Sequence, residues 1–183
     1  MDVESRIKKA YEAILAGDYE QAIGRFEEAI ALEPDNGAVY YKCSITCARS
    51  GKWQKALQYA EQAVQLDGEH EEYVYHLQTV KAKAMVSDAE QLLSQSPSPA
   101  HTEHALSMLI EASRMDPLNM EALLLLGSVY GSLRRYDEGA AYAREAVRLD
   151  PEHAAAKRLY MELKRKSRAL RAYGQRSKRK RNR

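Results

Sequence analysis

FEEAIALEPDN (residues 26–36) recurs without gaps as AEQAVQLDGEH (60–70), LIEASRMDPLN (109–119) and AREAVRLDPEH (143–153). Each segment has alanine at its fourth position, followed by an apolar residue, an acidic residue and then proline or glycine. These prolines and the glycine stand at positions 34, 68, 117 and 151. The first and last intervals between these four positions have the same length, and the middle interval is that length with an insertion. The sequence therefore predicts an array of structural repeats.

The repeated segments have the pattern of amphipathic helices. In the first segment and the turn before it, Ala22, Phe26 and Ala29 recur at helical spacing. Alanine at fixed places allows neighbouring helices to approach closely, and proline or glycine then ends each helix. A second helical stretch precedes each segment, so the repeat is a pair of antiparallel helices. One pair cannot bury its apolar face alone, which predicts a stack of at least three.

These residues resemble the tetratricopeptide repeat, a helix–turn–helix unit of about 34 residues. The last repeat carries the resemblance best, with apolar, small and proline residues at the expected places: Leu123, Leu126, Gly127, Tyr130, Ala146 and Pro151. Four copies in register cover about residues 3–153. The resemblance implies an all-α, right-handed superhelix of tetratricopeptide helix pairs with an extended carboxy-terminal helix.

The repeats also predict the organisation of the chain. The array occupies residues 1–153, followed by a capping helix over 154–173 and a disordered basic tail over 174–183. Within the array the repeats are 3–36, 37–70, an irregular 71–119, and 120–153. In the irregular repeat, 71–95 has the pattern of one long helix, and a loop rich in serine and proline follows it.

Charge is distributed unevenly along the chain, although the net charge is only +2. Residues 154–183 contain 13 Lys and Arg and a single acid, Glu162, whereas residues 1–153 contain 15 basic and 25 acidic residues. An acidic body with a basic tail indicates a partner or surface of opposite charge. No apolar run of bilayer length and no secretory signal is present. With only two cysteines, we expect a cytoplasmic protein, or a nuclear one in a eukaryote.

The resemblance also implies a binding surface. Tetratricopeptide arrays hold a peptide or helix of a partner in a concave groove lined by the first helix of each repeat. Carried over position by position, the groove contacts are predicted to be Ile7, Tyr11, Tyr41, Ile45, Leu124 and Ser128. The alternative for Ile7, Tyr11 and Tyr41 is a place in the core. The lysine and asparagine clamp that binds chaperone carboxyl termini is absent, so an apolar or amphipathic ligand is expected.

The basic tail supports a second hypothesis. Its lysines and arginines are able to neutralise phosphates of RNA or DNA, or to lie on an anionic surface. The candidate residues are Lys164, Arg165, Lys166, Arg168, Lys178, Arg179, Lys180 and Arg181. Nuclear import and a merely solubilising end are further interpretations of the same residues.

No catalytic or metal-binding motif is found in the sequence. Cys43 and Cys47 lie four residues apart but lack the further ligands of a closed zinc site, so both are predicted to be small core residues. His101 and His104 are predicted to lie at a solvated helix start rather than in a metal site. Ser96 and Ser98, each followed by proline, are candidate phosphorylation sites if the protein is eukaryotic, and the alternative is an unmodified solvent loop. The sequence predicts no cofactor and no enzyme.

The function expected from these observations is that of a non-catalytic protein–protein interaction module. We expect a cytoplasmic adaptor or chaperone-like protein that holds a partner segment in its groove. The alternatives are a protein that binds nucleic acid or ribonucleoprotein through its basic tail, and a secretion-type chaperone, which leaves the tail unexplained.

Overall fold

The computed structural model describes residues 2–95 and 98–181, with side chains described as far as Tyr173. Over these residues the structure is helical, without strands, which confirms the all-α class and the helix pairs. The helices are α1 (Val3–Leu15), α2 (Tyr19–Leu32), α3 (Gly37–Arg49), α4 (Trp53–Leu66), α5 (Glu71–Ser94), α6 (Pro99–Met115), α7 (Met120–Ser132), α8 (Tyr136–Leu149) and α9 (Ala154–Arg181). They form two compact units, Met1–Ser87 and Asp88–Arg183.

Three of the helix pairs are closed by the same tight turn. Gly17 and Gly51 have φ angles of +79° and +75°, and Arg134 has +59° at the equivalent place between α7 and α8. Only glycine adopts this left-handed conformation without a steric cost, so Arg134 introduces local strain. The backbone N–H one residue further along bonds back into the first helix in each pair, as from Asp18 to the carbonyl of Ala13 at 2.9 Å.

Side chains at several helix starts cap the exposed backbone N–H groups. Asp2, Asp18 and Asn119 accept hydrogen bonds from the N–H three residues ahead, at 2.9, 2.9 and 3.2 Å. Asn36 precedes α3 but does not cap it, and its amide donates to Glu33 at 2.7 Å instead. The side chain is drawn to the nearby carboxylate, which is a charged acceptor and therefore the stronger one.

The core of the first unit lies between the two layers of helices. Its fully buried residues are mostly small, and the one large ring, Phe26, is 0% exposed. The cluster consists of Ala10, Ile23, Phe26, Ala29, Val39, Cys43, Cys47, Ala56 and Val80. Ile7 and Ile14 of α1 are partly buried against it, so the first helix packs on the core through these two side chains and Ala10.

In the second unit α9 packs closely onto α7 and α8 because three glycines lie beneath it. A β-carbon at Gly127 would lie 2.9 Å from Cδ2 of Leu159, and one at Gly131 would lie 2.8 Å from Cδ2 of Leu163. Leu163 is 2% exposed and packs against Ala140 and Ala143 of α8. Ser167, one turn further, donates to Asp137 at 2.7 Å.

The carboxy terminus differs from the sequence expectation. A disordered tail was expected from Gly174, but α9 continues as helix to Arg181. Lysine, arginine and glutamine are good helix formers, and positive charge near a helix carboxyl end is favourable. A single glycine costs only about 1 kcal/mol in a helix and does not end it. Residues 182–183, and the side chains beyond Tyr173, lie outside the described part of the chain.

Gly139 tests the close approach of α7 and α8. A β-carbon there would lie 2.8 Å from the carbonyl oxygen of Gly127 and 3.2 Å from Cβ of Tyr130, so backbone must move. We expect Gly139→Ala to destabilise the protein by about 1–3 kcal/mol. Gly24→Ala is the matched control, because nothing lies within 4 Å of its β-carbon and helix propensity favours alanine by up to about 1 kcal/mol. Thermal unfolding of both variants measures the difference, and a loss of equal size in both contradicts the prediction.

Leu163 tests whether α9 is part of the folded unit. Leu163→Ala removes a buried side chain and should lower stability by about 2–5 kcal/mol. Leu170→Ala, on the same helix but 53% exposed, should change stability by less than about 0.5 kcal/mol. Denaturant unfolding of the two variants gives both values, and equal stabilities would mean that α9 does not pack as described.

Candidate functional site

The predicted groove residues of the first unit occupy equivalent places on three helices. Ile7 of α1, Tyr41 of α3 and Tyr75 of α5 follow one another at intervals of one repeat period, as do Tyr11, Ile45 and Thr79. Tyr11 is 44% exposed and Tyr75 is 73% exposed, whereas the other four are half-buried. We call this set of residues the aromatic face: Ile7, Tyr11, Tyr41, Ile45, Tyr75 and Thr79. Tyr75 was not among the predicted residues, although adding one period to Tyr41 identifies it.

Tyr41 is held by aromatic rings of the neighbouring helix α5. Its ring centroid lies 4.6 Å from that of Tyr73 at an interplanar angle of 30°, and 5.2 Å from the ring of His76 in an edge-on arrangement. His70 stacks on the same Tyr73 at 4.0 Å. Burial, with a further effect of Glu72, raises the pKa of the Tyr41 hydroxyl. The ring is therefore fixed in position and still partly accessible.

A buried hydroxyl fixes the orientation of His76. Ser44, 0% exposed, donates its O–H to the carbonyl of Ala56 at 2.7 Å, and its oxygen lies 2.9 Å from Nε2 of His76. Since the hydroxyl hydrogen is already used, Nε2–H of His76 is the donor in the second bond. Burial lowers the pKa of His76, which keeps the imidazole neutral.

The two other predicted residues on α1 are partly core. Tyr11 meets Phe26 edge-on, with ring centroids 5.9 Å apart and an interplanar angle of 88°. Ile7 packs against the buried cluster that contains Ala10 and Phe26. The two predicted alternatives, groove and core, are thus each correct for part of these side chains. One edge of Tyr11 and of Ile7 packs against the core, and the other edge is accessible to solvent.

Cys43 and Cys47 are 0% exposed and lie within the core cluster. The hydrogen bond with Cys47 and burial raise the pKa of the Cys43 thiol, so it remains protonated. Close by, Glu27 accepts hydrogen bonds from Tyr59 at 2.7 Å and from Lys55 at 2.5 Å, which ties α2 to α4. Among the described residues there is no group of three histidine, cysteine or acidic side chains able to hold a metal.

In the second unit α9 covers part of the predicted groove surface. Gly131, three residues after the predicted groove residue Ser128 on α7, lies directly under Leu163. Leu124 is partly buried against the cluster of Leu123, Ala146 and Ala156, while Ser128 is exposed. The glycines that admit α9 thus reduce the surface that α7 offers to a partner.

The predicted basic residues on α9 whose side chains are described, Lys164, Arg165, Lys166 and Arg168, are exposed. Lys166 pairs with Glu162 at 2.6 Å, and Nζ of Lys164 lies 5.2 Å from the ring centroid of Tyr160. Arg165 and Arg168 make no salt bridge within the described chain. The side chains of the other four predicted residues lie outside the described part: Lys178, Arg179, Lys180 and Arg181.

The residues around α6 have local roles. Ser98 caps the helix by accepting the N–H of His101 at 3.1 Å, and His104 is exposed. Ser96 lies outside the described residues, so its predicted modification rests on the sequence alone.

Comparison with known proteins identifies the repeat. The family described as Tetratricopeptide repeat matches residues 13–80 and, in a second form, residues 101–154, together more than half of the chain. The chain belongs to the tetratricopeptide repeat family. Both matched ranges contain helix pairs of the kind described above. No helix in the described part of the tetratricopeptide chain combines the length and the apolar character needed to cross a membrane.

Individual relatives of this tetratricopeptide chain are distant. DnaJ homolog subfamily C member 3 of Homo sapiens is 26% identical over 132 residues, which are 69% of this chain but only 26% of that protein. Among solved structures, a tetratricopeptide repeat protein from Parabacteroides merdae matches with a TM-score of 0.55 at 21% identity, covering 90% of this chain and 60% of that one. MamA matches with a TM-score of 0.50 at 18% identity, covering 96% and 94%. At these identities the solved structures show the fold alone.

The buried environment of His76 in this tetratricopeptide unit predicts a pH dependence of stability. Because its pKa is lowered in the folded state, the unfolded chain binds the proton more readily. The stabilisation is therefore complete above the ordinary histidine pKa of about 6.5 and decreases as the pH falls below it. We expect His76→Gln, which keeps a donor for Ser44, to lose less stability than the parent protein between about pH 7.5 and pH 5.5.

Melting temperatures at the two pH values measure this effect. His104→Gln is the control, because His104 is exposed and its replacement should leave the parent's pH dependence intact. Equal pH dependence in the parent and in His76→Gln would mean that other groups carry the acid sensitivity.

Proposed function

We propose that the protein is a non-catalytic interaction module, a cytoplasmic adaptor or chaperone-like protein that holds a segment of a partner protein. The membership of the tetratricopeptide repeat family supports a protein partner. The aromatic face of the first unit is the surface we propose for it, with Leu124 and Ser128 as separate candidate contacts on the second unit.

A single observation carries the proposal: the aromatic face combines fixed and exposed rings on successive repeat helices. Tyr41 is held between Tyr73 and His76, while Tyr11 and Tyr75 remain open to solvent. Tyrosines that are already ordered lose little conformational freedom on binding and often dominate the binding energy. Because Ile7 and Ile45 accompany them, an apolar or amphipathic segment fits the face better than a highly charged one.

The basic helix α9 favours a second candidate, in which the protein contacts nucleic acid or a ribonucleoprotein. Exposed Lys164, Arg165 and Arg168 supply the positive charge for this mode. The two candidates differ in salt dependence, because contacts to phosphates weaken steeply with ionic strength while apolar contacts respond little.

Substitution on the aromatic face tests the first candidate. A photo-reactive residue at position 75 in the full chain identifies a partner in nuclease-treated lysate, and the purified partner is then titrated calorimetrically. We expect Tyr41→Ala and Tyr75→Ala each to weaken its binding by about 1–3 kcal/mol, as loss of an aromatic anchor does. Tyr173→Ala is the matched control, since Tyr173 is 75% exposed against 73% for Tyr75 but lies on α9.

A chain ending at Tyr173 that also carries Lys164→Glu, Arg165→Glu and Arg168→Glu tests the second candidate, because it lacks these basic residues but keeps Leu163 and Ser167, which pack in the second unit. Partner binding that survives in this truncated variant and after nuclease treatment supports the aromatic face. Affinity that is unchanged in Tyr41→Ala and Tyr75→Ala but is lost in the truncated variant or on nuclease treatment would reject it in favour of the basic end.

A further inference from the structure

Helix α9 occupies the place of the first helix of one more repeat. It begins at Ala154, one repeat period after α7 begins at Met120. Leu126, Gly127 and Tyr130 of α7 are buried, and Gly127 and Tyr130 lie against residues of its pair helix α8. One period later, the same positions on α9 are Tyr160, Met161 and Lys164. Helix α9 thus corresponds to the first helix of a repeat, and the described residues contain no second helix that pairs with it.

The side of α9 on which a pair helix would lie is open. A depression of about 750 Å³ on this helix is bordered by five basic side chains, one acidic side chain, a tyrosine and a methionine, which we call the α9 face: Lys157, Arg158, Lys164, Arg165, Arg168, Glu162, Tyr160 and Met161. Met161 is 66% exposed on it. Leu163 and Ser167 fix α9 on α8, and Tyr160 at the edge of the α9 face packs against the same cluster, so the exposed side chains of this face are held at a fixed place on the second unit. Its five cations outnumber its one acid, Glu162, which is paired with Lys166, so an occupant that fits this face is both acidic and apolar.

The first unit contains a surface of that character. A depression of about 710 Å³ lies at the carboxyl ends of α2 and α4, and we call it the acidic depression. Its lining includes three acids and two leucines that are 52% and 40% exposed: Glu33, Asp35, Asp67, Leu32 and Leu66.

The helix ends reinforce the negative potential of the acidic depression. Free carbonyl groups give the carboxyl end of a helix a partial negative charge, which basic side chains usually balance. The last turns of α2 and α4 contain no basic residue, and acids, Glu33 and Asp67, follow them directly. In α8, by contrast, Arg148 supplies that charge. Asp35 and Asp67 make no salt bridge within the described chain.

We propose that the α9 face of one molecule docks in the acidic depression of a second copy of the same chain. Lys164 and Arg168 would meet Asp35 and Asp67, and Met161 would cover the exposed leucines. The charge distribution of the sequence favours this occupant, since residues 1–153 carry 25 acids and 15 bases and residues 154–183 carry 13 bases and one acid. The contact joins two different surfaces, so each molecule keeps one free surface of each kind and association continues unless a ring closes.

The molar mass of the full chain in solution tests the proposal. In nuclease-treated protein at low ionic strength, light scattering should show a mass that rises with concentration above that of a single chain and falls when salt is added. Lys164→Glu with Arg168→Glu, or Asp35→Lys with Asp67→Lys, should weaken association by at least about tenfold, because like charges then face each other. A mixture of these two variants should recover association, since the intact α9 face of one variant meets the intact acidic depression of the other.

Two control variants separate this contact from a general charge effect. The first control, Lys8→Glu with Lys81→Glu, changes the net charge by the same amount as Lys164→Glu with Arg168→Glu. The second control, Glu61→Lys with Glu111→Lys, changes it by the same amount as Asp35→Lys with Asp67→Lys. All four control residues are exposed. Circular dichroism and melting temperatures check that every variant is folded. The proposal is overturned by a parent protein that is monomeric at all concentrations, by a mass that falls on nuclease treatment, by controls as defective as the test variants, or by a mixture that stays monomeric.

Discussion

Each helix pair depends on two small residues seven positions apart in its second helix. In the pairs α1–α2, α3–α4 and α7–α8 they are Ala22 and Ala29, Ala56 and Ala63, and Gly139 and Ala146, and α6 has buried Ala105 and Ala112 at the same spacing. At these places one helix lies directly against its neighbour, and a larger side chain would force the backbones apart. Since packed interiors tolerate little added volume, this spacing dictates which faces touch. The larger residues, such as Phe26 and Leu109, fill the space that remains.

The regular spacing of these small residues explains how much of the fold the sequence predicted. The small residues and helix stops recur with a fixed period, so the helix pairs and the long helix α5 follow from the pattern alone. The same period leads from Tyr41 to Tyr75. The covering of Gly131 by Leu163 had no such signal, because it depends on how a single helix packs after the repeats end. The rings beside Tyr41 were missed for a similar reason: Tyr73 and His76 fall between the repeat positions that were compared.

The aromatic face illustrates why groove and core were difficult to separate from sequence. A residue on the first helix of a repeat has an inner edge against the next helix and an outer edge in solvent. Tyr41 has both, since its ring packs on Tyr73 and His76 and remains only partly covered. A pattern records only that an aromatic residue is present. The fraction of its surface that is left for a partner is decided by neighbours that are distant in sequence, such as those on α5.

The end of a repeat array raises a physical question that its interior does not. Interior helices bury their apolar faces on neighbours, but the last helix needs a polar outer face to remain soluble. In α9 the replacement of apolar residues by polar ones on the outer face is incomplete. Lys157 and Lys164 are polar replacements, whereas Met161 stays apolar and exposed and Tyr160 is only half-buried. A helix that merely closed the array would gain solubility from a polar residue at position 161. A helix that binds another surface needs an apolar centre within a charged rim, which is the arrangement found on α9.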